Sequence, residues 1–177
     1  MLKINLYGAP SSGKTTLASQ IFAEMKSKNY HIAYVPEYSK DLVYMGLDMR
    51  TLSEVERLNI LVKQFKRENI LKDKVDFLVT DSPMILTAYY HQDPFKREDW
   101  SYAKDIVMRH LTENEIHLWL EPTNNFEVEG RSHDEKQSEQ ISKELLKYLK
   151  NLNIPLKTIS GTPEERLKKV MKIILNG

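Results

Sequence analysis

Residues 5–18 read NLYGAPSSGKTTLA, in which Gly8, Gly13, Lys14 and Thr15 carry the spacing G-x-x-x-x-G-K-T between an apolar run and a helical one. That spacing predicts a phosphate-binding loop. Its glycines let the backbone curl until successive N–H groups point inward, and the positive end of the following helix completes an anion cradle. The expected cradle is Gly8-Ala9-Pro10-Ser11-Ser12-Gly13-Lys14-Thr15, continued by Thr16. Lys14 would reach the β- and γ-phosphates, and the Thr15 hydroxyl would ligate magnesium.

The rest of the chain repeats the strand–helix alternation that the loop begins. Strand-length apolar runs are expected at 2–7, 31–36, 77–80, 116–120 and 156–159. Several lack polar alternation, as in strands covered on both faces. Helical spacing links Leu17, Ile21 and Met25; Leu58, Leu61, Val62 and Phe65; Ile141, Leu145 and Leu149; and Leu167, Val170, Met171 and Ile174. Two S/T-x-x-E patterns, Thr51 with Glu54 and Thr162 with Glu165, predict helix starts. Strands alternating with helices imply an α/β fold with a parallel sheet and right-handed crossovers. Ligands in such sheets bind beyond the carboxyl ends of the strands, so polar residues just after a strand are the ones to test.

Composition narrows the partners. The 177 residues suit one domain over 1–177, and 29% charged with 41% hydrophobic residues is ordinary for a globular protein. A net charge of +1 provides no basic field for duplex nucleic acid or membranes. With no cysteine there is no disulfide and no thiol chemistry. No run approaches the ~18 apolar residues of a membrane span, and MLKINLYGAP turns polar too soon for a secretory signal, so a cytoplasmic protein without membrane partners is expected.

Three strand ends supply further candidates. In DFLVTDSPM, Asp81 follows the third strand, where a carboxylate could hold magnesium through water or, with Ser82, start a helix. In AYVPEYSKD, Glu37 could orient an acceptor hydroxyl or take its proton if the second strand lies beyond the third; otherwise it is a solvated loop acid. Tyr38 could stack on a substrate ring or simply pack, and Asp41 is a second acid one turn on. After the fifth strand, the Ser160-Gly161-Thr162 turn could run along adenine.

The polar stretch after the fourth strand, about 121–137, has the length of a lid. Arg131 is its cation for a transferring phosphoryl group, or else a surface ion-pair partner; His133 reads mainly as a solvated residue. Arg50, Arg57, Lys63 and Arg67 surround one helix start. They read as ordinary helix charges, with Arg50 the best substrate clamp among them. Tyr89, Tyr90 and His91 could line a base pocket or pack. The five histidines show no metal-ligand spacing.

Taken together, GAPSSGKTTLA, PEYSKD, TDSPMILTAYY, FEVEGRS and ISGTPEERL resemble the small P-loop kinases. The nearest likeness is to the AAA-labelled ATP-binding domains that include nicotinamide riboside kinase domains, and several phage nucleotide-metabolism or DNA-modification proteins look similar. The resemblance implies a three-layer P-loop sandwich with strand order 2-3-1-4-5. It implies Glu37 as an acceptor-binding or general-base acid, Arg131 in the lid, and Gly161-Thr162-Pro163 beside adenine. The expectation is an ATP- and magnesium-dependent kinase for a nucleoside or nucleotide. The catalytic set would be Lys14, Glu37, Asp81 and Arg131, with Tyr38, Arg50 and Tyr89 toward the substrate. A kinase for a modified base in DNA, or an NTPase module without an acceptor, are the alternatives.

Overall fold

The computed structural model describes residues 1–49, 51–91, 101–122 and 135–176. Five strands form one parallel sheet: β1 (Leu2–Tyr7), β2 (Ile32–Val35), β3 (Phe77–Thr80), β4 (Glu115–Leu120) and β5 (Leu156–Ile159), in the expected order β2-β3-β1-β4-β5. Each is within a residue of its expected bounds at either end. Around them run α1 (Lys14–Ser27), α2 (Tyr38–Tyr44), α3 (Glu54–Asn69), α4 (Met84–His91), α5 (Ser101–Arg109), α6 (Glu135–Asn151) and α7 (Pro163–Asn176).

Helices cover both faces of the sheet. On one face Leu17, Ile21 and Met25 of α1 and Val170, Met171 and Ile174 of α7 bury Ile4, Leu6, Val79 and Leu118. On the other, residues of α3, α4, α5 and α6, among them Leu61, Ile85, Val107, Leu145 and Leu149, pack against Tyr7 and Trp119. Three of the expected helical stripes, those of α1, α6 and α7, are thus core-facing, as period-3.6 patterning requires.

The remaining expectations for the helices need correction at α3. Its N-cap is Ser53, not Thr51: Glu56 N–H donates to the Ser53 hydroxyl, and the Glu56 carboxylate accepts from Ser53 N–H at 2.8 Å. Thr51 instead donates its hydroxyl to the Asp48 carbonyl at 2.9 Å. The buried face is also rotated. Arg57, Ile60, Leu61, Gln64 and Glu68 are buried, while Val62 is exposed and Leu58 and Phe65 are half-buried. Arg57, expected as a solvent-face charge, is 7% exposed and donates Nε–H to the Leu52 carbonyl at 3.1 Å.

The polar residues of α3 meet a polar stripe under β1. Lys3, Asn5 and Tyr7 share one face of β1 by the twofold side-chain period, and in register with them stand Glu115, His117 and Trp119 of β4. Lys3 pairs with Glu68 at 2.5 Å, Asn5 Nδ2 donates to Glu115 at 2.8 Å, and Tyr7 Oη lies 3.0 Å from His117 Nδ1. A cavity of about 10 Å³ beside these residues has room for one water.

Candidate active site

The loop between β1 and α1 has the conformation that its sequence predicts. Gly8 has φ +153° and a Cβ there would lie 2.5 Å from Ser12 Oγ and 3.0 Å from the Leu120 carbonyl, so only glycine fits. Gly13, at φ +87°, forms the N-cap of α1 and offers no side-chain cap. The first N–H groups of α1 therefore have no side-chain cap to compete with an anion. The Ser11 and Ser12 hydroxyls are buried without a hydrogen-bond partner among the described residues. Lys14 curls over the loop, donating Nζ–H to the carbonyls of Gly8 (2.8 Å) and Ala9 (2.9 Å). Pro10 lies at the turn of the loop, and Thr16 is exposed one residue beyond Thr15.

Opposite the loop stands Asp81, at the end of β3 and only 1% exposed. Its Oδ2 accepts the Thr15 hydroxyl at 2.5 Å, whereas Oδ1 is buried with no hydrogen-bond partner among the described residues. A hard dication takes oxygen ligands, and a hydroxyl beside a carboxylate with a free oxygen is a donor set of that kind. Thr15 and Asp81 thus fit magnesium. Lys40, one turn into α2, closes the group: its Nζ donates to Thr15 Oγ1 at 2.8 Å and lies 3.5 Å from Asp81 Oδ2.

Because β2 is paired to β3 at the sheet edge, Glu37 at its end does face the same cleft. Its carboxylate accepts from the Ser39 hydroxyl and lies 4.0 Å from Lys40 Nζ. Two tyrosines unmarked or little weighed in the sequence register these acids. Burial, then the Asp81 charge and a hydrogen bond to Asp81, then the Glu37 charge, hold the Tyr34 phenol well above the usual tyrosine range. Burial and the Glu37 charge do the same for Tyr90.

Other candidates land in less reactive places. Tyr38 N–H donates to Gln64 at 3.1 Å, and its ring is faced by Arg67 at 4.7 Å and Lys63 at 5.6 Å, a packed cation–π arrangement. Asp41 pairs with Arg67 at 2.6 Å. Tyr89 packs on Tyr90 and Tyr148, with ring centroids 5.3 and 5.2 Å away; burial, then the Glu144 charge, push its phenol up to about 12. Arg50, Arg131, His133 and the lid stretch 123–134 lie outside the described residues.

The turn of Gly161, Thr162 and Pro163 is built as its sequence predicts. Glu165 N–H donates to Thr162 Oγ1 at 3.3 Å, and the Glu165 carboxylate accepts from Thr162 N–H at 2.9 Å. What the sequence left unmarked is Arg166, 4% exposed on α7. It donates to three backbone carbonyls: Gly161 (2.9 Å), Ser12 (2.7 Å) and Glu121 (2.7 Å). One guanidinium therefore joins the phosphate loop to the ends of β4 and β5.

Comparison with known proteins agrees with this fold. Among solved structures, NadR in complex with NR superposes with a TM-score of 0.76 at 15% identity, covering 99% of this chain and 51% of that one. The chain thus spans about half of NadR. A deoxyadenosine kinase from M. mycoides, with dCMP and dCDP bound, superposes with a TM-score of 0.72 at 16% identity, covering 99% and 100% of the two chains. At such identities the likeness is one of fold. A sequence search of curated proteins gives no match. The AAA domain family matches residues 3–166, which takes in the phosphate loop, Asp81 and the five strands, and the chain belongs to that family.

Proposed function

We propose that the chain is a magnesium- and ATP-dependent kinase that transfers the γ-phosphoryl group to a nucleoside or nucleotide, acting as one domain in the cytoplasm. The observation that carries this reading is the acid pair across the cleft. Asp81 sits against Thr15 of the phosphate loop, and Glu37 sits beyond it, bridged by Lys40. A nucleotide switch needs the first acid only, whereas a kinase needs a second that can orient an acceptor hydroxyl. The solved structures of similar fold point the same way, since one is a deoxyadenosine kinase and NadR has been solved with AMP-PNP.

In this reading the backbone of residues 8–13 and Lys14 bind the phosphates, and the turn at Gly161, Thr162 and Pro163 lies along adenine. Thr15 and Asp81 would hold magnesium, which neutralises charge on the phosphates when bound. Glu37 receives a hydrogen bond from the acceptor hydroxyl and takes its proton as the new oxygen–phosphorus bond forms and the bond from the γ-phosphorus to the bridging oxygen breaks, releasing ADP. Its own position is held by Ser39. Tyr90, kept neutral at physiological pH, remains a hydrogen-bond donor beside Glu37, while the neutral Tyr34 phenol donates to Asp81. Tyr89 supports this wall, Tyr38 sits at its edge, and Arg131 and Arg50 retain the roles expected from the sequence.

An acceptor screen tests the proposal: purified protein, labelled ATP, and panels of nucleosides, mononucleotides and DNA with modified bases. Labelled nucleoside monophosphate or diphosphate product is the expected result. Label in DNA alone would move the acceptor into a polymer, and release of inorganic phosphate with every panel would identify an NTPase.

A further inference from the structure

The metal pair already has a cation beside it. Lys40 Nζ donates to Thr15 Oγ1 at 2.8 Å, stands 3.5 Å from Asp81 Oδ2, and lies 4.0 Å from Glu37 Oε2. Those are the same oxygens that would ligate magnesium and the acid that would serve the acceptor. Asp81 is nearly wholly buried, and a buried carboxylate without a compensating charge is strongly unfavourable. The lysine is different: its side chain is 43% exposed, so it can leave for water without disturbing the core. Lysine suits such a post, being a compact point charge on a flexible stem.

We propose that Lys40 is the resident counter-ion of Asp81, which holds the metal position closed to free divalent ions and yields it to a metal carried in on a nucleotide. The inference rests on the reading of Thr15 and Asp81 as the metal pair. A free dication must displace the ammonium for the reward of one carboxylate and one hydroxyl. A metal–nucleotide complex brings the phosphate loop's many donors to the same exchange. Metal binding therefore waits for the nucleotide. The displaced ammonium has a second carboxylate within reach, Glu37, three residues earlier at the N-cap of α2. Lys40 would then stand on the acceptor side, close to the path of the transferring group. It is a positioning residue, acting through Asp81 and Glu37.

The test is a titration with Mn²⁺ alone, followed by electron paramagnetic resonance, on the full-length chain. Lys40→Met should bind Mn²⁺ about tenfold more tightly than the wild type, the scale of one half-solvated charge at this distance. Lys40→Arg should stay near the wild type, and adding Asp81→Asn to Lys40→Met should erase the gain. Lys40→Gln is the second variant should the methionine protein fold poorly, with the same gain expected. Equal Mn²⁺ affinity in wild type and Lys40→Met, each weakened by Asp81→Asn, would overturn the role of Lys40 and leave the metal pair standing. If Asp81→Asn changes Mn²⁺ affinity neither alone nor with AMP-PNP, the metal pair itself fails and this inference with it.

Discussion

Lysine meets carboxylates at two places around β1, and the two differ in their access to water. Below the strand, Lys3 pairs with Glu68 at 2.5 Å and lies 4.0 Å from Glu115, with side chains 12%, 7% and 3% exposed. Beyond its far end, Lys40 lies between Asp81 and Glu37 with 43% of its side chain exposed. The lower cluster is packed between α3 and β4, where Glu115 also accepts from Asn5 Nδ2 at 2.8 Å and Thr112 N–H at 3.0 Å, so its charges are held by neighbours rather than by water. The upper one opens on a cleft and can exchange its cation. Similar residue types thus give a fixed strut in one place and, on the reading proposed above, an exchangeable cation in the other.

That contrast can be pressed hardest at the two acids. Glu37→Gln should lower phosphoryl transfer by about 10²–10⁴-fold while ATP affinity stays near the wild type, as expected for loss of a general base. Glu68→Gln should leave the rate constant for transfer unaltered. Steady-state kinetics with nucleotide binding measured separately decide the matter, and unimpaired transfer in Glu37→Gln would remove that residue from the mechanism.

The two lysines give the next comparison. Lys3→Met leaves Glu68 and Glu115 without their cation and should cost about 3–5 kcal/mol of stability by urea unfolding. Lys40→Met takes a half-exposed cation from the buried Asp81 and should cost less than Lys3→Met, about 1–2 kcal/mol. Similar losses for both would mean that the cleft cluster is structural as well.

A smaller effect separates them by pH. Burial holds the His117 imidazole below its usual value of 6.5, against the opposing pull of Glu115. A group whose folded value is depressed adds stability that is present above the unfolded value and lost as the pH falls through the folded one. Wild-type stability should therefore decline below pH ~6.5 with a His117 contribution of up to ~1.4 kcal/mol per pH unit. His117→Gln should lack that component, so unfolding curves at pH 7.5 and 5.5 should lie closer together. Glu68, raised by burial, acts in the opposite sense, losing its contribution as the pH rises from 4.5 through its folded value. Smallest of all, Ser53→Ala should cost about 1 kcal/mol by loss of the α3 cap, with no change in transfer.

The fold was legible where its determinants are local. The phosphate loop, the Thr162–Glu165 capping box and the strand runs each depend on neighbours in the chain, and Asp81 and Glu37 stand out because they end strands. The misses share a cause. Arg57, Gln64 and Glu68 look like a solvent face because charges usually lie outside, yet all three are buried: Gln64 and Glu68 meet Tyr38 and Lys3 from other elements, and Arg57 folds back onto the Leu52 carbonyl. Lys3 and Asn5 look like polar interruptions of β1 until His117 and Glu115, more than a hundred residues on, supply the other half. Lys40 was passed over because nothing nearby in sequence tells that Thr15 and Asp81 will lie within its reach.

Arg166 puts the two sequence extremes of the cleft into one unit. Its guanidinium holds the Ser12 carbonyl, 154 residues earlier, together with Glu121 and Gly161. During synthesis the phosphate loop emerges first, yet its outer rim stays unanchored until α7 has left the ribosome and docked. Nucleotide affinity should thus arise late, with the last helix. Ribosome-bound chains stalled before residue 166 should bind an ATP analogue weakly, and chains released beyond α7 should bind it fully.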